Sequence, residues 1–249
     1  MAAALAAMAL PVTGCDPATV AQVAEKSPKE ALLAAVPQDS AGPLRFSGKD
    51  DTNDISGSID PQAKALQLAT SMKQDGIAVH MSFLIVAEQA WVKMRFTGDR
   101  RKVALLPKYP DRWMHLNRAK LTGDGAVPTY DGADQGNTGV LIENATSVED
   151  KGDGRYAGTV DLTSGEAAKV LDAAEMTALG AAAKQVPFTG KVIGHNLAEF
   201  TMDVPAAGKH QAFRYVVNYT DYGTAPKLTA PSGPAAQEAP ASLYQLMNG

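Results

Sequence analysis

The 249-residue sequence holds one cysteine, Cys15. That excludes an internal disulfide framework and a zinc site of the Cys-x-x-Cys kind. Long apolar runs are missing too. Beyond residue 15 nothing reaches the roughly 18–20 continuous apolar residues of a spanning helix, and the best later run, residues 77–87, contains His80. Basic clusters are short: none is longer than Arg100-Arg101-Lys102, and the net charge is -4. A nucleic-acid partner needs a basic face to neutralise phosphates, so none is expected.

Catalytic signatures are absent as well. There is no Gly-x-Ser-x-Gly elbow, no His-Glu-x-x-His helix and no Walker loop. The four histidines, His80, His115, His195 and His210, are scattered. Asp50, Asp51 and Asp54 do not follow the spacing of a calcium loop and read as a solvated turn. Neither enzymatic activity nor a cofactor nor a metal is therefore expected.

The first residues have a different character. Ala2 to Leu10 are all Ala, Leu or Met. Such a run is too short to cross a hydrocarbon core about 30 Å thick at about 1.5 Å per residue. It suits the hydrophobic region of a secretory signal. Val12-Thr13-Gly14-Cys15 follows directly and resembles the lipobox of bacterial lipoproteins. The resemblance implies a signal peptide over residues 1–14, a lipid on Cys15 and anchoring at the extracytoplasmic face of the cell membrane. No Lys or Arg precedes Lys26, which departs from the usual basic start. The competing reading is a lone cysteine in an Ala-rich helix.

Residues 16–35 read as a helix, with Pro28 interrupting the pattern. From residue 43 the hydrophobic period changes to two. Strands are expected at 44–49, 55–60, 66–72, 77–85 and 90–96, with Asp75-Gly76 as a hairpin turn. His80 falls opposite the apolar face. Residues 113–116 make a short strand, 119–137 a loop and 138–145 a short helix. A hairpin follows around Gly152-Asp153-Gly154. An Ala-rich helix is expected over about 164–184, then strands at 188–193, 197–204 and 212–222. Residues 225–249, rich in Pro, Ala and Ser, read as a tail, with little fixed structure over 225–242.

Consecutive hairpin-linked strands with few helices imply an α+β fold. The expected arrangement is a single large curved antiparallel sheet, covered on its concave side by two or three helices. The carrying segments are Glu30 to Val36, the pair Val79 to Ile85 and Ala90 to Phe96, Gly154 to Thr163, and Tyr219 to Pro226. Together they resemble the envelope lipid carriers of the LppX/LprG type and, more distantly, the LolA/LolB lipoprotein carriers, over about residues 20–232. After the fifth strand, Trp113-Met114-His115 follows a charged insertion, residues 99–108, where the resemblance implies a Trp-Thr or Trp-Tyr pair.

The resemblance implies one half-barrel domain over residues 15–224 that binds lipid or lipidated molecules, as a monomer, in an apolar cavity between sheet and helices. The candidate lining on the strands is Leu68, Met72, Val79, Met81, Phe83 and Val92, then Met94, Phe96, Phe200 and Met202. Val170 and Leu171 join it from the Ala-rich helix. Small Ala side chains leave volume, and Met adapts to irregular chains. Period-two alternation is equally what a packed sheet shows, so a second reading stays open: a non-enzymatic envelope interaction or structural lipoprotein with a filled core.

Overall fold

Residues 26–49, 54–122, 127–233 and 237–248 are described by a computed structural model of the chain. The expected signal peptide, Cys15 and the Asp50-Asp51 pair lie outside the described residues. No described helix is long and apolar enough to cross a membrane.

The strands are β1 (Leu44–Lys49), β2 (Asp54–Asp60), β3 (Ala65–Gln74), β4 (Ile77–Val86), β5 (Gln89–Gly98), β6 (Met114–Leu116), β7 (Ala145–Asp150), β8 (Arg155–Val160), β9 (Val186–Ile193), β10 (Asn196–Val204) and β11 (Phe213–Thr220). They form one open antiparallel sheet in the order β6-β5-β4-β3-β2-β1-β11-β10-β9-β8-β7. Two local meanders, β1–β6 and β7–β11, are therefore joined by one non-local pairing. It matches five residue pairs, from Arg45 opposite Thr220 to Lys49 opposite Val216.

Directly opposed residues of an antiparallel pair share a face, so the register sorts the side chains. One row across the first meander reads Leu44, Ile59, Leu66, Ile85, Ala90, Leu116. The next reads Phe46, Gly57, Leu68, Phe83, Val92, Met114. In the second meander Tyr215, Met202, Phe188 and Gly158 align on the same face. Polar residues such as Ser47, Ser56, Ser82 and Lys93 occupy the other side. His80 lies there, as expected, bonded to Thr97 Oγ1 at 2.8 Å. The turn at Asp75-Gly76 has φ of 52° and 79°, the left-handed pair that a two-residue hairpin needs.

Two rings lie across glycines. A Cβ on Gly57 would sit 2.7 Å from the Phe46 ring, and one on Gly158 would sit 2.8 Å from the Phe188 ring. Each meander thus seats a phenylalanine over a neighbouring strand where only glycine leaves room.

Of the helix expected over residues 16–35, residues 16–25 lie outside the described residues, and the rest holds α1 (Pro28–Ala34). Pro28 starts it instead of interrupting it, because Ser27 and Glu30 form a reciprocal capping box. Lys29 Nζ donates to the carbonyls of Glu143 at 2.8 Å and Ala145 at 3.0 Å. Those carbonyls lie at and just past the C-terminal end of α3 (Thr138–Glu143), where a cation meets the negative helix end. The single helix expected over 164–184 is instead three pieces: a 3₁₀ turn Gly165–Lys169, α4 (Ala173–Leu179), and a second turn Gly180–Lys184. Asp172 and Glu175 form a second capping box, which begins a new helix where a continuous one was expected.

The C-terminal segment also departs from expectation. The N–H of His115 donates to Gln237 O at 2.8 Å, and the N–H of Ala239 donates to His115 O at 2.9 Å. Residues 237–239 thereby run beside the edge strand β6 and cover its open groups. Helix α5 (Ala241–Met247) follows, with Leu243 and Tyr244 buried. Its anchors are backbone pairing and four apolar residues near the end, which composition averaged over the segment hides.

Gly57→Val is expected to lower stability by about 1–3 kcal/mol, read as a reduced urea midpoint. An unchanged midpoint would show that both the Phe46 ring and the Gln67 carbonyl, 1.9 Å from the added Cβ, give way freely.

Candidate ligand-binding site

Five of the expected lining residues come together. Met72, Val79 and Phe96 form one cross-strand row, and Met81 and Met94 occupy the adjacent row. With Leu246 and Met247 of α5 they enclose an apolar groove of about 280 Å³. Four of its seven lining residues are methionines, whose unbranched thioethers accommodate irregular shapes. The groove opens to solvent: Met72 is 49% and Leu246 46% exposed.

The other expected residues go elsewhere. Phe83, Val92, Leu171, Phe200 and Met202 are buried in the packed core, and Leu68 is packed against it. Phe200 stacks on Phe188 with centroids 5.2 Å apart. Val170 lines a separate pocket of about 180 Å³ beside Phe46, Gly136 and Val217. A cavity running the length of the sheet is therefore not what these side chains form. Large residues fill much of the middle, apart from the pocket beside Phe46, and the apolar groove lies at the β3–β5 end. Leu246 and Met247 were missed because they lie in the segment read as a tail. Their spacing from Leu243, at i+3 and i+4, was the available signal.

Helix α5 forms one wall of this groove and is held from several sides. The Tyr244 hydroxyl accepts from Asn117 N–H at 2.8 Å and donates to Glu238 Oε1 at 3.3 Å. Glu238 also pairs with Lys120 at 2.5 Å. Asn248 closes the end, accepting from Thr122 N–H and donating to Lys120 O, both at 3.0 Å.

A polar clamp stands behind the β1–β11 junction. Asp134 Oδ2 accepts from Gly139 N–H at 2.7 Å, and its Oδ1 accepts from Thr138 Oγ1 at 2.8 Å. The buried Tyr219 hydroxyl donates to the same carboxylate. It also accepts from Gly136 N–H at 3.1 Å, while Tyr215 donates to Gly136 O at 2.9 Å. The loop before α3 is thus fastened to β11. Burial, and secondly the Asp134 charge, push the Tyr219 phenol well above its usual value. Tyr222 moves the same way for the same two reasons.

No group of three or more His, Cys, Asp or Glu able to hold a metal occurs among the described residues. His115 packs edge-on against Trp91, with ring centroids 5.5 Å apart.

Because the Tyr219 phenol is raised in the folded state, its contribution is complete below the ordinary value of 10.0. It is lost as pH rises through the higher folded value. Thermal stability is therefore expected to fall above about pH 10, and Tyr219→Phe should flatten that fall. At neutral pH the same variant should lose about 1–3 kcal/mol, since Gly136 N–H is left without its acceptor. Leu243→Ala should cost about 2–5 kcal/mol, read from urea unfolding. A change under 1 kcal/mol would mean α5 is only loosely docked.

The sequence matches no protein-family model and no curated protein, so the functional reading is carried by the groove itself.

Proposed function

We propose that the protein is a membrane-tethered lipid-binding lipoprotein of the cell envelope, and that the groove beside α5 receives an acyl chain. The observation carrying this is the Met-rich apolar groove, open to solvent, at the β3–β5 end of the sheet. In this reading the sheet is a half-barrel, its hollow side covered by α1, α3, α4 and α5, and Cys15 carries the lipid anchor. The resemblance to envelope lipid carriers of the LppX/LprG type supports it.

The groove's size sets the terms of binding. An apolar cavity of about 150 Å³ holds a six-carbon ring, so this one suits a chain of roughly a dozen carbons. Burying it gains on the order of 10 kcal/mol gross, at about 0.8 kcal/mol per methylene. Lost translational and rotational freedom removes about 4 kcal/mol or more. The remainder corresponds to micromolar-to-millimolar affinity, which suits reversible exchange better than permanent storage.

A second reading draws on the packing of Phe83, Val92, Phe200 and Met202. With the middle of the sheet filled, the protein would serve as an envelope interaction module, and the groove would take a partner's apolar side chains.

A fluorescent fatty acid should bind the full chain saturably at one-to-one stoichiometry. Met81→Asp should weaken it by roughly tenfold or more, because the chain would desolvate a carboxylate, with the far-UV circular dichroism unchanged. No saturable signal from the wild-type chain would favour the interaction module.

A further inference from the structure

Strand β6 pairs only with residues 90–92 of β5. Past that point the β5 edge faces the segment between the two strands, which folds back on it. Asp99 caps α2 (Arg100–Val103). The N–H of Asp99 donates to Gly76 O at 3.0 Å, and Lys102 Nζ donates to Asp75 O at 2.7 Å. Both bonds fix the segment to the β3–β4 hairpin tip. Between segment and edge lies a pocket of about 510 Å³ whose lining includes Arg95, Arg100, Lys108 and Tyr109.

Its chemistry differs from the rest of the protein. Residues 93–112 carry seven Lys or Arg against two Asp, in a chain of net charge -4. Among the described residues Arg95, Arg100 and Lys108 make no ion pair. The Tyr109 hydroxyl is buried and has no hydrogen-bond partner. A buried donor left unpaired is costly, so the wall of the pocket at Tyr109 is itself unsettled. Met94 and Phe96 line both this pocket and the apolar groove, so the two spaces meet across one edge strand.

We infer that this edge pocket holds the anionic head, a carboxylate or phosphate ester, of an amphiphile whose chain lies in the apolar groove. The inference rests on the groove being an acyl-chain site. A charged head inside that groove would lose its hydration without gaining a partner, whereas three cations await it across the edge.

Three probes with the same twelve-carbon chain test this against the full chain by calorimetric titration: dodecyl phosphate, dodecylphosphocholine and dodecyl maltoside. Inorganic phosphate serves as the fourth. Dodecyl phosphate should bind roughly tenfold more tightly than the other two, as three partly exposed charge pairs allow. Combining Arg95→Gln, Arg100→Gln and Lys108→Gln should erase that preference and leave dodecyl maltoside affinity unchanged. Equal affinities for the three heads, or a preference surviving the triple change, would overturn the head site while keeping the groove as an acyl site. Inorganic phosphate binding as tightly as dodecyl phosphate would reveal a free-oxyanion site and overturn the amphiphile. If no dodecyl compound bound, the acyl-chain reading would fall and this inference with it.

Discussion

Five residue pairs between β1 and β11 decide whether there is one sheet or two. Every other strand pairing is between neighbours in the chain, whereas this one joins residues such as Ser47 and Asn218, which are 171 positions apart. The Arg45–Asp221 ion pair beside it is about half exposed at both ends, so it contributes little. The weight falls on backbone bonding, and behind it the largely buried Asp134–Tyr219 clamp ties the loop before α3 to β11. A buried polar network of this kind stabilises only when all its members are present. The loop before α3, the N-terminal end of that helix and the central strand therefore stand or fall together.

Much of this architecture was legible in the sequence. The period-two runs from Leu44 to Phe96 placed five strands and their faces, and Asp75-Gly76 placed a turn. Local patterns carry such information because each strand repeats its apolar face every second residue. The partner of β1 was not legible, since nothing in Leu44–Lys49 points to Phe213–Thr220. The broken helix was half legible: Asp172-x-x-Glu175 was a start signal, yet the surrounding Ala run suggested continuity. The C-terminal helix was hidden by composition, because Pro, Ala and Ser dominate the segment that leads to it.

The candidate site divides along the same line. Alternation put Met72, Val79, Met81, Met94 and Phe96 on one face, and the structure gathers them. It also put Phe83, Val92, Phe200 and Met202 on that face, and these are core. Periodicity tells which side of a sheet a residue faces. It does not tell what stands opposite, and that is what separates a lining residue from a packed one. Here the difference comes from α5 and the rows of large side chains around Phe188 and Phe200, both set by tertiary contacts.

The position of α5 has a consequence for how the protein comes into being. All described strands of the sheet are complete by Thr220, while the wall formed by Leu246 and Met247 is made later. During synthesis the sheet can therefore assemble before any groove exists, leaving the Met72–Phe96 face bare to water. Such a face is sticky in an unfinished chain. Its methionines, flexible and soft, are poor at locking onto a single wrong partner, and the final helix comes down on a surface still free to receive it.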